Sequence, residues 1–179
     1  MTNGVDTEII SGDVARALEP RLSEKATSAL FAPSSAIVSP YELAIACCEN
    51  FIDNGGELKT DTRVKTVKRG ARGFWYVETE HDVFLTRSVV NAAGLYSDDI
   101  HNSACADKLE TTARRGQYML LDRAAMPVER TVFQTPTALG KGVLVAPTCH
   151  GNTVIGPSAE DVADRSDAAT TADVLDAVF

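Results

Sequence analysis

The residues best suited to chemistry fall in three places along the 179-residue chain. The segment Val89-Val90-Asn91-Ala92-Ala93-Gly94 reads as an apolar strand that ends in small residues. Such an ending lets bare backbone approach a flat ring or a phosphate without obstruction by side chains. A tight strand-to-helix junction favours the same residues, so both readings stay open. Arg114, Arg115 and Lys141 are cations near expected strand ends and could pair with an anionic ligand. For Arg115 a surface salt bridge is the favoured reading and contact with a substrate the lesser one. His150, in the loop Thr148-Cys149-His150-Gly151-Asn152, could act as a base that removes a hydroxyl proton, or simply stand exposed in a turn. His81 and His101 are weaker candidates of the same kind. Tyr118 shares a strand face with Leu120, where it could face a ligand or pack in a core.

The cysteines Cys47, Cys48, Cys105 and Cys149 contain no Cys-x-x-Cys pair, and Cys47 and Cys48 point in different directions on a helix. Free thiols in a reducing, cytoplasmic compartment are therefore expected, with neither a disulfide framework nor a metal site. Asp98-Asp99 and Glu160-Asp161 read as cap or loop acids without metal spacing.

The elements that must position these groups are partly explicit. Ser39-Pro40-Tyr41-Glu42 forms a capping box, with Glu42 expected to reach back to the Ser39 amide. Tyr41, Ala44, Ile45, Cys48 and Ile52 then share one helical face, and Asn54-Gly55-Gly56 supplies a left-handed stop, so a helix is expected over residues 40–53. Residues 63–68, 74–79 and 83–86 alternate apolar and polar across short turns and predict an antiparallel meander. Shorter strands are expected at 8–10, 36–38, 117–121, 130–133, 142–146 and 153–155. Helices are expected at 13–18, 97–104 and from Thr170 onward. The fold class is α+β.

A formal net charge of −8 argues against nucleic acid or an anionic membrane surface as partner. No stretch approaches the roughly 18–20 apolar residues of a membrane-spanning helix. The start lacks the basic and apolar regions of a signal peptide. The final apolar helix is still running at Phe179, so both ends are expected to lie inside a longer polypeptide.

Taken in order, several short blocks carry a resemblance. They are Leu18-Glu19-Pro20, Ile37-Val38-Ser39-Pro40, Asn54-Gly55-Gly56, Val90 to Ser97, Arg114 to Tyr118, Gly140 to Asn152 and Gly156 to Asp161. Their colinearity resembles the D-amino-acid-oxidase superfamily of FAD-dependent oxidoreductases, in particular the branch of glycerol-3-phosphate dehydrogenases and L-2-hydroxyglutarate oxidases or dehydrogenases. The resemblance implies part of an FAD/NAD(P)-binding domain with its β-meander at residues 34–112. It implies an antiparallel substrate-binding (cap) domain made from 5–33 and 113–179. It also implies hydride transfer from a hydroxy substrate, glycerol 3-phosphate or a 2-hydroxy acid, to flavin. Val64 would lie against the adenine end, and Ala92, Ala93 and Gly94 would approach the cofactor. Arg115, Tyr118, Lys141 and Thr148 would face a small anionic substrate, with His150 a weak candidate base.

The family's opening Gly-x-Gly-x-x-Gly, whose bare amides hold the FAD pyrophosphate, has no counterpart in this sequence. The chain is therefore expected to be colourless and inactive by itself and to need the rest of its parent polypeptide. A non-catalytic binding or assembly module and an amine-oxidising relative are the alternative readings.

Overall fold

The meander forms where alternation and turn chemistry agree most strongly. In the computed structural model, which describes residues 4–136 and 142–178, β-branched and aromatic residues of 64–86 pair as three antiparallel strands. The chain divides into two compact units.

The first unit gathers the described residues of Met1–Cys47, Gly116–Ala159 and Ala169–Phe179. Strand β1 (Glu8–Ser11) pairs antiparallel with β2 (Ser28–Phe31) around helix α1 (Gly12–Leu18), which Ser11 caps by accepting the Val14 amide at 3.3 Å. Gly12 is required here for space: a Cβ would stand 2.0 Å from the Ala26 carbonyl oxygen. At the far end of α1, Glu19 is buried and accepts the amides of Glu129 at 2.9 Å and Arg130 at 3.0 Å. Arg130 returns a bond to the Leu18 carbonyl at 2.5 Å. The block Leu18-Glu19-Pro20 thus fastens the start of the chain to a segment more than a hundred residues away.

Helix α2 (Pro40–Asp53) starts where expected, with the Glu42 amide donating to Ser39 Oγ at 3.3 Å, and stops at Gly55, whose φ is +84°. Two details differ from expectation. The Glu42 carboxylate lies 4.0 Å from His150 rather than bonding back to Ser39. The apolar face of α2 is not buried: Tyr41, Ile45 and Ile52 are exposed, and no residue of the helix is buried.

The unit's main sheet is antiparallel in the order β7 (Met119–Asp122), β10 (Asn152–Gly156), β9 (Leu144–Pro147), β8 (Val132–Phe133). Here β9 and β10 form the hairpin that the sequence announces, closed by the Thr148 amide on the Asn152 carbonyl at 2.8 Å. Thr153, wholly buried, donates to the Met126 carbonyl at 2.6 Å. Gln117 accepts the Thr171 amide at 2.8 Å, one residue before helix α4 (Ala172–Val178).

The second unit gathers Cys48–Arg115 and Glu160–Ala168. Strands β3 (Val64–Arg69), β4 (Trp75–Thr79) and β5 (Val83–Thr86) make the expected meander, with a bulge between Val64 and Thr66. Helix α3 (Ser97–Ala104) packs on β3, where the Val67 amide donates to Ser103 Oγ at 2.8 Å and Val67 is buried. A short pair, β6 (Ala113–Arg115) with β11 (Glu160–Val162), completes the unit.

Two expected strands do not form. Residues 36–38 make no strand, and Ile37 and Val38 are exposed. Residues 88–93 are likewise outside any strand, with Val90 90% exposed. A strand is a paired object, and among the described residues neither segment has a ladder partner. No described helix is long and apolar enough to cross a membrane.

Candidate functional site

The bulge at the start of β3 and the unpaired run after β5 meet across an open cleft of about 870 Å³, contained within the second unit. Val64, Val67 and Val77 provide one side. Val89, Val90, Asn91, Ala92 and Ala93 provide another, with Tyr96 and Ile100 closing the end. Local bonding shapes this wall: Asn91 Oδ1 accepts the Ala93 amide at 3.2 Å, and Asn91 Nδ2 donates to the Ser97 carbonyl at 2.7 Å. The Asn91 side chain thereby holds the small residues as a compact turn. Gly94, with φ +55°, then opens a 3₁₀ turn (Gly94–Tyr96) that leads into α3. A residue with Cβ would be strained in that conformation.

Of the residues expected at a cofactor, the structure brings Val64, Ala92 and Ala93 to the same cleft, and Gly94 follows as the turn that aims them. Val64 is half-buried, whereas Ala92, Ala93 and Gly94 are exposed. Arg63 and Lys65 line the cleft together with Glu80 and Asp99, Lys65 standing 3.7 Å from Glu80, so its charged lining is balanced.

The first turn of α3 carries a group whose place in the sequence marks only a cap or loop acid. Asp98 is buried. Its carboxylate takes a two-pronged contact from Arg165 at 2.5 and 2.9 Å and accepts the amides of Thr111 and Asp99, each at 2.9 Å. The Arg165 hydrogen bond first, and the Thr111 amide second, hold the Asp98 carboxyl down to about 2. Arg165 also lies over the Tyr96 ring, 5.7 Å from its centre. One guanidinium thus braces both the start of α3 and an aromatic wall of the cleft. Nothing in the local sequence marks Arg165 for this work, because its partners lie about seventy positions earlier.

Which parts of a dinucleotide would this cleft suit? Small apolar walls and exposed backbone suit a flat ring and its sugar. The α3 N-terminus does not suit a diphosphate: Asp98 and Asp99 already set two carboxylates in that first turn, and like charge there opposes a second anion.

The expected substrate residues lie elsewhere. Arg115 is committed to Glu160 and Asp167, each at 2.7 Å, with only 11% of its side chain exposed. The neighbouring carboxylates raise its pKa, the Glu160 hydrogen bond most of all. Arg114 is paired with Asp161 at 2.6 Å. Tyr118 is 51% exposed, which corrects its reading as a core tyrosine. Its ring lies over Gly156, where a Cβ would meet it at 2.7 Å, so the ring rides on the sheet surface instead of entering a core. Thr148 closes the β9–β10 hairpin, its Oγ1 accepting the Asn152 amide at 3.1 Å. His150 is exposed in that hairpin, 4.0 Å from Glu42. Lys141 lies outside the described residues. Tyr118, Thr148 and His150 belong to the first unit and Arg115 to the second.

Comparison with known proteins supplies the deciding observation: residues 1–179 match the family of FAD dependent oxidoreductases. The chain belongs to that family. A glycerol 3-phosphate dehydrogenase of Caloramator mitchellensis is 40% identical over 175 residues, covering 97% of this chain and 36% of the relative. A glycerol 3-phosphate oxidase of Mycoplasma pneumoniae is 30% identical over 168 residues, covering 89% of this chain and 43% of the relative. The solved structure of L-alpha-glycerophosphate oxidase from Mycoplasma pneumoniae, reduced with dithionite and with FAD bound, superposes with a TM-score of 0.85 at 28% identity. It covers 97% of this chain and 46% of that one. The chain therefore spans less than half the length of these family members.

Proposed function

We propose that this chain is part of an FAD-dependent dehydrogenase or oxidase that moves hydride from a hydroxy substrate, glycerol 3-phosphate or a 2-hydroxy acid, to flavin. The family match along the whole chain, with a glycerol 3-phosphate dehydrogenase as a 40% identical relative, carries this reading. FAD, when bound, supplies the hydride acceptor, and the protein supplies position and electrostatics.

In this reading residues 34–112 belong to the cofactor-binding part, and 5–33 with 113–179 belong to the substrate-binding part. Val64, Ala92 and Ala93 offer the cofactor a flat apolar seat, and Gly94 sets the direction of the chain beyond it. The acids of the α3 first turn keep a diphosphate away from that helix end, so the diphosphate is held by other segments of the parent polypeptide. Those segments are the chain's principal partner. Arg115 acts by bracing β6 against β11 rather than as a free cation. Of the remaining candidates for an anionic substrate, Tyr118, Lys141 and Thr148 supply a ring, a cation and a hydroxyl. His150, beside the Glu42 carboxylate, is the candidate to take the substrate hydroxyl proton. We place the protein in the cytoplasm, where its four thiols, all free in the structure, stay reduced.

The full-length parent, purified with its flavin, tests the proposal. Anaerobic mixing with glycerol 3-phosphate, L-2-hydroxyglutarate and amino acids in parallel should bleach the oxidised flavin with a hydroxy substrate. Bleaching by amino acids alone would transfer the reading to an amine oxidase. A parent that carries no flavin would favour a binding module.

A further inference from the structure

A second cluster of reactive side chains sits at the opposite end of α3 from the cleft and plays no part in the reading above. We propose that His101, Cys105 and Asp107 form a binding site for a zinc-class divalent ion. His101 and Cys105 are four residues apart, a spacing that sets both side chains on one face of the helix end. Asp107 follows in the next loop. One donor atom from each residue lies within 4.8 Å of the other two.

Two further observations point to an ion rather than to chance proximity. His101 Nε2 is buried yet has no hydrogen-bond partner, although Asp107 Oδ2 is only 3.4 Å away. Buried polar nitrogens are normally satisfied, and one left without a bond beside a carboxylate, in a trio that also holds a thiol, is placed as a ligand would be. The loop carrying Asp107 is also held in place. Asn102 and Leu109 exchange two bonds of 2.8 Å, and Lys108 Nζ donates to the carbonyls of Asn102 at 2.6 Å and Cys105 at 2.9 Å. The Lys108 ammonium is taken up by those two carbonyls, which ties the loop to the end of the helix.

The donor set selects the metal. Imidazole nitrogen, thiolate sulfur and carboxylate oxygen together suit zinc, whereas magnesium and calcium prefer oxygen alone. Ligand bonds of about 2.0–2.3 Å require the three donors to close together slightly, which the 80% exposed Asp107 side chain is free to do. Three protein ligands leave the fourth tetrahedral position for water. The sequence concealed this site because the spacing, His-x-x-x-Cys-x-Asp, is not a Cys-x-x-Cys pattern. A second trio, Glu42, Cys149 and His150, also gathers donors, but all three are exposed and none has an orphaned buried atom. It serves as an internal control.

The chelator-treated chain should be titrated with cobalt(II) as a spectroscopic probe and then with zinc. The expected result is one equivalent bound, with a thiolate-to-cobalt charge-transfer band and tetrahedral d–d bands. Cys105→Ser should remove the charge-transfer band, and His101→Ala or Asp107→Asn should weaken zinc binding by about tenfold or more. The double variant Cys149→Ser/His150→Ala should leave spectrum and affinity unchanged. Circular dichroism checks the fold of each variant, and Asp107→Asn, altered at an exposed side chain, decides the matter if Cys105→Ser does not fold. Absence of saturable one-to-one binding overturns the proposal. So does binding that survives Cys105→Ser, or that disappears with Cys149→Ser/His150→Ala.

Discussion

Replacing Glu19 by alanine should loosen the attachment of residues 129–130 without touching any group proposed at the cofactor or substrate. The Glu19 carboxylate is buried, and a single oxygen, Oε2, accepts the amides of Glu129 and Arg130 at 2.9 and 3.0 Å. Hydrogen bonds to a charged acceptor contribute about 1.5–3 kcal/mol each, and two bonds sharing one oxygen are not additive, so a loss of about 3 kcal/mol is expected. Glu19→Gln keeps an acceptor oxygen where both bonds converge, loses the charge and gives up the long 3.4 Å bond that Oε1 accepts from the Arg21 amide, which together should cost about 1 kcal/mol. The direct assay is amide hydrogen exchange at Glu129 and Arg130. If these amides exchange by local opening, protection should fall about 150-fold in the alanine variant and about 5-fold in the glutamine variant. The Arg130 bond to the Leu18 carbonyl survives in both variants, so the segment stays near its place. Unchanged exchange in Glu19→Ala, or equal losses in the two variants, would refute the reasoning.

Three other outcomes are expected. Because the folded pKa of Asp98 is depressed from 3.8 to about 2, its stabilising contribution is complete above about pH 4 and is lost as pH falls through about 2. Thr111 amide protection followed on acidification should show that loss, and Asp98→Asn should abolish the dependence; matching acid profiles would contradict the assignment. Gly12→Ala drives a Cβ to 2.0 Å from the Ala26 carbonyl oxygen. Backbone must move to relieve this, so urea denaturation should register a loss of about 1–3 kcal/mol or more, and an unshifted midpoint would show that the close approach is not tight. The purified chain should be colourless and should not acquire a stoichiometric flavin band when mixed with FAD, since the cleft lacks a diphosphate cradle; a co-purified flavin spectrum would count against that view.

Much of the fold was legible because its signals are local. Proline after a capping serine, glycines after the last turn and alternation across short loops set α2, the β3–β5 meander and the β9–β10 hairpin within a few residues. Strands β2, β6 and β11 were not legible. Each is only three or four residues long and exists by pairing, and β6 finds its partner some forty-five positions away. The opposite error arose at 36–38 and 88–93, where strand-like residues have no neighbour to pair with. At the candidate site, Ala92, Ala93 and Gly94 could be picked out because small residues in a row are visible without a structure.

What the sequence determined by itself is therefore the class of protein, the elements closed by nearby hydrogen bonds, and the small-residue wall that a planar ligand could approach. The tertiary structure alone decided which charges are free and which are spent. Arg115, a candidate for substrate, is held by Glu160 and Asp167, while Arg165, with no sequence signal, braces Asp98 and Tyr96 at the cleft. The physical reason is range: backbone preference is set by the residue and its near neighbours, whereas ion pairs such as these depend on which distant segments the fold brings within a few ångströms.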